Sequence, residues 1–256
     1  MRLDLYLARN GYAPSRERAR RLILSGSVLV DGVTAEKPSA EVEGAPAITV
    51  REETFVGRGG EKLEAALSAF SVDPAGCRAL DIGASTGGFT HCLLLHGAAA
   101  VTALDAGCGQ LHPTLLADSR VTDIEKYNAR DLSAADVGLF DLVVMDVSFI
   151  SQTYILPRIP GVLLPAGRLI SLIKPQFEAG RGALSKKGIV KDVRDRAFAV
   201  RRVLDAARAA GLVPAGLIAS PILGGDGNAE YLAYFTREGK DRVTDAIVEE
   251  TVRKGR

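Results

Sequence analysis

The feature that most constrains this chain is a regular alternation of short apolar runs and helix-like stretches between residues 79 and 235. The apolar runs are Ala79–Ile82, Ala100–Leu104, Val121–Ile124, Leu142–Met145, Arg168–Ile173, Ala215–Ser220 and Tyr231–Phe235. Short strands that alternate with helices are typical of a parallel sheet with helices on both faces. We therefore predict a doubly wound α/β domain with seven strands.

The length and composition suit such a domain with a small appendage. The chain has 256 residues, of which 47% are hydrophobic and 25% are charged, and its net charge is +1, values typical of globular proteins. The longest stretch without a charged residue or a histidine, Ala209–Gly225, contains two prolines and is shorter than the ~20 apolar residues of a membrane span. The charged start, Met1 to Asp4, does not resemble a signal peptide. We expect a cytoplasmic protein that has no membrane partner and is a monomer in the free state.

The cysteines predict no metal site. Their number is three and they form no C-x-x-C motif, which is typical of reduced thiols. The pairs Cys92/His96 and Cys108/His112 have an i,i+4 spacing that can place two zinc ligands on one helix face. The strand assignment, however, puts His96 and Cys108 toward opposite ends of the sheet.

The first fifty residues predict a separate small unit of two helices and a hairpin. Leu3 and Leu7 lie four residues apart, Ser15 can cap a second helix, and Asp31-Gly32 is a strong hairpin turn. Residues 1–30 contain six arginines and only two acids. These arginines are typical of a solvated helix face, but they also suit phosphate binding.

The residue pattern of this unit resembles the RNA-binding module of small-subunit ribosomal protein S4. The resemblance lies in Arg2-Leu3-Asp4, Ser15-Arg16, Leu22-Ile23, Val30-Asp31-Gly32 and Lys37-Pro38-Ser39. It implies structured RNA as a partner and specifies no chemistry. The candidate RNA-binding residues are Arg2, Ser15, Arg16, Arg20, Arg21 and, outside the module, Arg58.

The chain between Glu43 and Gly60 is rich in Gly, Pro and mixed charge and is interpreted as a linker. We assign residues 1–50 to the small domain, 51–59 to the linker and 60–256 to the α/β domain. A helix is predicted over Glu61–Phe70 with Lys62 in its first turn, where the helix dipole disfavours a cation. Lys62 is therefore either simply solvated or directed toward an anionic ligand.

A glycine-rich loop follows the first predicted strand and predicts a cofactor site. Glycines allow a tight turn and close ligand approach at a helix amino terminus, and an acid at the end of the second strand can bind a ribose diol. Nicotinamide cofactors and S-adenosylmethionine both use this arrangement. The loop lacks the G-x-G-x-x-G pattern and has an acid before it, which suits cationic S-adenosylmethionine better than a pyrophosphate. The candidate residues are Asp81, Gly83, Ser85, Thr86, Gly87, Gly88, Phe89 and Asp105.

Charged residues also stand at the ends of later strands, where open α/β sheets bind ligands. Asp146 and Lys174 end the fourth and fifth strands, and Glu230 begins the last one. Each alone is compatible with a solvated charge. Together with Lys62 they form a Lys-Asp-Lys-Glu set.

This set is similar to the catalytic tetrad of FtsJ-type ribose 2′-O-methyltransferases, and with the amino-terminal module the chain resembles the TlyA family. The matching motifs are Arg58–Leu63, Asp81–Thr90, Asp146–Ser151, Lys174–Phe177 and Gly227–Tyr231. The resemblance implies S-adenosylmethionine-dependent 2′-O-methylation of cytidine in ribosomal RNA or ribosomal subunits. Family members often have a tryptophan in the interdomain linker, where this chain has Phe55-Val56.

Two other functions stay open on the sequence. Members of the family have also been called haemolysins, which would make the chain a secreted or membrane-acting toxin. An RNA-binding module without catalysis is the second alternative. The absence of an apolar spanning or amphipathic segment argues against a toxin.

The chemistry predicts a division of roles within the tetrad. A ribose hydroxyl must lose its proton as it attacks the methyl group, and we expect Lys174 to be the base, assisted by the nearby charge of Lys62. Asp146 and Glu230 are expected to hold the lysines in place. A Gly87→Val substitution is expected to block the cofactor at little cost to the fold.

RNA affinity is expected to come from phosphate contacts, because the chain has no tryptophan and only 5% aromatic residues. The basic head and the stretch Arg181–Arg202 are the candidates. Phe149 and Phe177 either stack on a base that has left its helix or belong to the core.

Overall fold

The computed structural model describes residues 1–24, 26–50, 55–225 and 227–255, except for the side chain of Arg21. These residues form two compact units, Met1–Thr54 and Phe55–Arg256. No helix in this described part is both long and apolar enough to cross a membrane.

The first unit contains the predicted helices and hairpin. Ser15 Oγ accepts a hydrogen bond from the Arg18 N–H at 3.1 Å, which confirms the predicted cap of the second helix. Asp31 and Gly32 have φ values of 51° and 80°, as the primed turn of a tight hairpin requires. The elements are α1 (Leu3–Arg9), α2 (Arg16–Leu24), β1 (Val28–Val30), β2 (Val33–Thr34) and β3 (Ile48–Val50).

The interpretation of residues 43–60 as a linker is wrong for its middle, because Ile48–Val50 forms β3. This strand pairs antiparallel with β1, with Val30 opposite Ile48. The alternating Ile48 and Val50 pack against the apolar core of the unit, which includes Leu3, Leu7 and Ile23. Residues 51–54 of the predicted linker lie outside the described residues.

The second unit alternates strands and helices from its first helix onward. That helix begins at Gly59, two residues before the predicted start. The elements are α3 (Gly59–Phe70), β4 (Arg78–Ile82), α4 (Gly88–Leu95), β5 (Ala100–Leu104), α5 (Pro113–Leu116), β6 (Val121–Ile124), α6 (Ala134–Val137), β7 (Phe140–Met145), β8 (Leu163–Ile173), α7 (Pro175–Glu178), α8 (Val193–Ala209), β9 (Val213–Ala219), β10 (Tyr231–Thr236) and α9 (Asp245–Lys254).

The strands form one seven-stranded sheet in the order β6-β5-β4-β7-β8-β10-β9, which confirms the predicted fold class. The direction of strand order reverses between β4 and β7, the position at which doubly wound sheets bind ligands. β10 runs antiparallel to both β8 and β9. The start of β10 therefore lies at the same edge of the sheet as the carboxyl ends of β4, β7 and β8.

Both faces of this sheet are buried. Leu80 and Ile82 of β4 pack in one apolar cluster, whereas Ala79 packs in a second cluster with residues of α3 and α4. Alternate side chains of a strand point to opposite faces, so the two clusters lie on the two sides of the sheet. Because both faces of the sheet are covered, a ligand can bind only at the ends of its strands.

Candidate active site at the edge of the sheet

The loop between β4 and α4 has the backbone of a tight, closely packed turn. Gly83 and Gly87 have φ values of 84° and 95°, and Ser85 has a φ of 49°, a region that glycine adopts at no steric cost. A Cβ added at Gly83 would lie 2.6 Å from the carbonyl oxygen of Asp146. Glycine is therefore needed here because the loop packs against the end of β7.

Gly87 is also required by packing, which corrects the expectation that a side chain there is tolerated. A Cβ at this position would lie 2.2 Å from Cδ1 of Leu115 and 2.8 Å from Cδ1 of Leu111. A valine would therefore meet the apolar core and not only a ligand. Gly88 is close to the start of α3, with an added Cβ 3.1 Å from the carbonyl oxygen of Gly57.

A cavity of about 370 Å³ opens at the switch point, between the ends of β4, β5 and β7. Asp105 and Asp146 line it, together with apolar side chains that include Leu104 and Ile155. Among the described residues, no lysine or arginine lines this cavity. The cavity is therefore suited to an apolar ligand with a hydroxylated or cationic part, and it offers no cation for a pyrophosphate.

Asp105 lies in the wall of this cavity and is tied to the loops around it. One carboxylate oxygen accepts the N–H of Ser85 at 2.8 Å, and the other accepts the N–H of Gly107 at 2.7 Å. The side chain stays partly exposed. Each carboxylate oxygen can accept more than one hydrogen bond, so Asp105 can still bind hydroxyl groups of a ligand.

Asp81 does not line the cavity, contrary to the prediction that it contacts the cofactor. Its side chain is fully buried, and one oxygen accepts the hydroxyl of Thr90 at 2.7 Å. Burial raises the pKa of Asp81 to about 7, with smaller contributions from the charges of Asp146 and Asp105. The reason for its position is strand alternation, which points Asp81 toward α4 and beneath the loop.

Phe89 is likewise a core residue. It is 3% exposed and packs in the cluster that contains Leu63 and Leu93. It therefore supports the loop from the side of the core. Together with Ser85, Thr86 and Gly88 it also borders a smaller cavity of about 200 Å³, which reaches Asp146 and Lys174.

The structure brings the four predicted tetrad residues together at this edge as two ion pairs. Lys174 Nζ lies 2.6 Å from Asp146 Oδ1 and donates to the Ser148 hydroxyl at 2.8 Å. Lys62 forms the second ion pair with Glu230. Tyr231 pairs with Ile173, so Glu230 and Lys174 occupy adjoining positions of neighbouring strands.

The two ion pairs differ in their access to solvent. The side chains of Lys62 and Glu230 are 7% and 3% exposed, whereas those of Lys174 and Asp146 are 12% and 20% exposed. Each lysine has its own carboxylate, so the charge of Lys62, which was expected to assist Lys174, is itself balanced by Glu230. Lys174 is the more exposed of the two lysines and borders the cavity of about 200 Å³.

Beside Lys174 lies an exposed aromatic residue in an unusual conformation. Phe149 is 91% exposed and has a φ of 64°, so the alternative that it belongs to the core is wrong. Its ring lies 5.2 Å from the ring of half-buried Phe177. Exposed aromatic side chains of this kind suit stacking on nucleic-acid bases.

These rings lie in a groove of about 710 Å³ that shares Ser148 and Phe149 with the cavity of about 370 Å³. Lys126, Arg130 and Arg202 supply positive charge, and Tyr154 adds a third aromatic side chain. Sequence reasoning missed Lys126, Arg130 and Tyr154, because single residues in separate loops form no motif. Only the folding of those loops places them around one groove.

Two predicted RNA-binding residues of the first unit are held by one buried acid. Asp4 is 2% exposed, and its carboxylate lies 2.9 Å from the Arg2 guanidinium and 3.1 Å from that of Arg16. The hydrogen bond from Arg2, aided by Arg16, lowers the pKa of Asp4 to about 2. About half of each arginine side chain stays exposed, so both can still contact phosphates.

The other residues predicted to bind RNA differ in their exposure and in their hydrogen bonds. Arg20 is exposed, whereas Ser15 serves as a helix cap. Arg58, in the second unit, donates to the carbonyl of Leu223 at 2.8 Å. The side chain of Arg21 lies outside the described residues.

Comparison with known proteins matches the chain to two families. The FtsJ-like methyltransferase family matches residues 55–237, and the S4 domain family matches residues 1–45. The chain is 44% identical over 249 residues to the 16S/23S rRNA (cytidine-2′-O)-methyltransferase TlyA of Mycobacterium tuberculosis, covering 96% of this chain and 92% of that protein. It is 43% identical over 242 residues to Hemolysin A of Brachyspira hyodysenteriae, covering 92% and 99%.

Solved structures agree with this match. A protein of Streptococcus thermophilus that carries the name hemolysin is 36% identical and superposes with a TM-score of 0.78, covering 99% of this chain and 94% of that one. An S-adenosylmethionine-dependent methyltransferase of Mesorhizobium loti is 19% identical, with a TM-score of 0.50 over 68% of this chain and 96% of that one. The second similarity concerns the fold alone.

Proposed function

This chain belongs to the TlyA family, in which an S4 domain is joined to an FtsJ-like methyltransferase domain, and we propose that it methylates the 2′-hydroxyl of cytidine in ribosomal RNA. The methyl donor is S-adenosylmethionine, and the substrate is ribosomal RNA or a ribosomal subunit in the cytoplasm. The residues proposed to carry the chemistry are Lys62, Asp146, Lys174 and Glu230.

The observation that carries this proposal is the shared wall between the cavity and the tetrad. Asp146 lines the cavity and also holds Lys174. The cavity has two carboxylates and, in its described lining, no basic residue. A sulfonium cation is attracted by such a lining, whereas the pyrophosphate of a nicotinamide cofactor is repelled.

The cavity residues fit the parts of S-adenosylmethionine. Asp105 is placed to accept the ribose hydroxyls, and the apolar walls with Leu104 and Ile155 suit the adenine ring. The backbone of Gly83 and Ser85 forms the floor. When bound, S-adenosylmethionine supplies an electrophilic methyl group.

Lys174 is the proposed base for the ribose hydroxyl. As the hydroxyl oxygen forms its bond to carbon, its proton must move to an acceptor within hydrogen-bond reach. Nζ of Lys174 lies on the more exposed side of the tetrad. In its neutral form, this nitrogen is the proposed acceptor of the proton. Asp146 and Ser148 fix the direction of this amine, and the buried Lys62–Glu230 pair fixes the adjoining strand.

RNA is proposed to bind through phosphate contacts and base stacking. The cations of the groove, the stretch Arg181–Arg202 and the arginines of the S4 domain supply positive charge for phosphates. Phe149 supplies an exposed ring on which the target base can stack after leaving its helix. A base that has left its helix would bring its own ribose close to Lys174, whose side chain is only 12% exposed.

The test is a methyl-transfer assay with labelled S-adenosylmethionine and separated, under-methylated ribosomal subunits. We expect label on the 2′-oxygen of cytidine, detected by nuclease digestion and mass spectrometry. Lys174→Ala should abolish the signal, and Lys254→Ala, in an exposed ion pair on α9, should preserve it. RNA binding without transfer, binding of NADH instead of S-adenosylmethionine, or lysis of erythrocytes without transfer would each contradict the proposal.

A further inference from the structure

Behind the exposed Phe149 lies a buried carboxylate that does not belong to the tetrad. Glu178, the last residue of α7, is 1% exposed. Its two oxygens accept the Ser151 hydroxyl at 2.5 Å and the backbone N–H of Gln152 at 2.7 Å. Both donors belong to the segment that follows Phe149, so the carboxylate ties this segment to α7.

A second set of hydrogen bonds ties the same segment to β8. The buried side chain of Gln152 donates to the carbonyl of Leu172 at 2.5 Å and accepts the hydroxyl of Ser171 at 2.6 Å. β8 ends at Ile173, one residue before Lys174. The segment that carries Phe149 is thus fixed to the strand that delivers the proposed base.

The outer side of α7 is held as well. Arg202 of α8 donates to the main-chain carbonyl of Glu178 at 2.8 Å. Burial raises the pKa of Glu178, while the Ser151 hydroxyl and the Gln152 N–H act in the opposite direction. A buried carboxylate has a desolvation cost that an apolar side chain would not have, so stability alone does not account for an acid here.

The segment needs such support, because its conformation is unfavourable in itself. Phe149 combines a positive φ with almost complete exposure of an apolar ring. A strained residue of this kind keeps its conformation only where the surrounding contacts determine it. In this segment those contacts are the bonds of Ser151 and Gln152 to Glu178 and β8.

We propose that Glu178 is a positioning residue that fixes the segment Ser148–Gln152, and with it Phe149 and Ser148, beside Lys174. The purpose of this positioning rests on the proposed function, since the segment then holds the target nucleotide against the base. The fixation itself is a property of the protein without RNA or cofactor. The two can therefore be tested separately.

The first measurement follows the segment directly. The chain contains no tryptophan, so Phe149→Trp introduces a single fluorescent reporter at the position of interest. Glu178→Gln in this background replaces an acceptor by an amide that cannot accept both donors. We expect the anisotropy of Trp fluorescence to fall toward the value of the urea-unfolded chain, with the circular dichroism spectrum unchanged.

The second measurement follows catalysis in the chain that retains Phe149. Glu178→Gln should lower kcat by about tenfold to a hundredfold, the order expected for a misplaced reacting group, with an unchanged Kd for S-adenosylmethionine. Ser151→Ala should act in the same direction, and Ser151→Thr, which keeps the hydroxyl, should restore most of the rate. Glu250→Gln in α9, which makes the same change of side chain in an exposed ion pair with Lys254, is the matched control and should leave kcat unchanged.

The outcomes separate this proposal from the proposed function. An unchanged anisotropy in folded Glu178→Gln, or a fall in anisotropy with unchanged kcat, would overturn the positioning role. If Glu178→Gln does not fold, Ser151→Ala decides in both measurements. If the natural protein transfers no methyl group to RNA, the proposed function fails, while the anisotropy still shows whether Glu178 fixes the segment.

Discussion

At the scale of single residues, the tetrad divides into a buried pair and an open pair. Lys62 and Glu230 are enclosed, whereas Lys174 and Asp146 face the cavities. A buried ion pair is costly to break from one side, because the remaining charge loses its partner. Within the proposed tetrad, the enclosed pair therefore positions its neighbours, and the open pair contains the proposed base.

Lys174→Arg tests whether this side chain is a base. Arginine keeps the charge and the ion pair with Asp146 but does not lose its proton at working pH. We expect single-turnover methyl transfer to fall by about 10²-fold or more, with unchanged affinity for S-adenosylmethionine measured by calorimetry. An active Lys174→Arg protein would show that Lys174 acts only through its charge.

Asp81 gives a prediction for the pH dependence of stability. Its pKa rises from 3.8 to about 7 on folding, so its contribution to stability is fully present below pH 4 and is lost as the pH rises through 7. Asp81→Asn does not titrate. Relative to the natural protein, the free energy of unfolding of the variant should rise between pH 5 and pH 8 by at most about 3 kcal/mol, because each pH unit below the folded pKa contributes about 1.4 kcal/mol.

Urea unfolding at the two pH values measures this difference. If the natural protein and Asp81→Asn show the same pH dependence, Asp81 is charged in the folded state. The pKa of Asp81 would then be the same in the folded and unfolded chain, which would contradict the effect of its burial. Asp241→Asn, at an exposed ion pair with Arg208, is the control for loss of a carboxylate that is not buried.

At the scale of elements, the glycine loop is determined by its packing on neighbouring elements. Gly83 is close to the end of β7, Gly87 to the side chains of α5, and Gly88 to the start of α3. The loop therefore holds three elements together beneath the proposed cofactor cavity. Substitutions in it are expected to change stability as well as binding.

Gly87→Ala should destabilise the protein more than Gly109→Ala. Both glycines have a positive φ, but a Cβ at Gly109 meets no atom within 4 Å. We expect a loss of about 1 kcal/mol for Gly109→Ala from backbone strain and at least about 1–3 kcal/mol more for Gly87→Ala from overpacking. Thermal unfolding measures both, and equal losses would show that Leu115 moves away at no cost.

At the scale of the whole molecule, the two units have separate apolar cores. Leu3, Leu7 and Ile23 belong to the cluster of the first unit, whereas the two clusters of the second unit contain only residues from Phe55 onward. Every tetrad residue and both cavities lie in the second unit. RNA binding by the S4 domain and chemistry by the methyltransferase domain can thus be separated by truncation.

A chain of residues 55–256 should fold and bind S-adenosylmethionine but should bind RNA more weakly. Without the arginines of the S4 domain, fewer RNA phosphates are neutralised, so the slope of log affinity against log salt should become smaller, by about 0.7–0.9 for each such phosphate. Filter binding at several salt concentrations measures this slope. Equal methylation of ribosomal RNA by the truncated and the full chain would contradict the role assigned to the S4 domain.

The sequence by itself determined the elements whose causes are local. The Ser15 cap, the Asp31-Gly32 turn and the seven strands follow from side chains within a few positions of one another. The position of Asp146, Lys174 and Glu230 at strand ends was also predictable, because parallel strands and a final antiparallel strand share one edge. β3 was missed, since three alternating residues within a Gly- and Pro-rich stretch are a weak pattern.

The tertiary structure alone decided which face each side chain occupies and what it contacts. Asp81 and Asp105 both belong to strand ends, yet only Asp105 reaches the cavity, because strand alternation turns Asp81 beneath α4. The pairing of each lysine with its own carboxylate, the exposure of Phe149 and the burial of Glu178 likewise depend on residues far apart in the chain. Local patterns specify where strands begin and end, but the environment of a charge is set by packing between elements, which no short stretch of sequence contains.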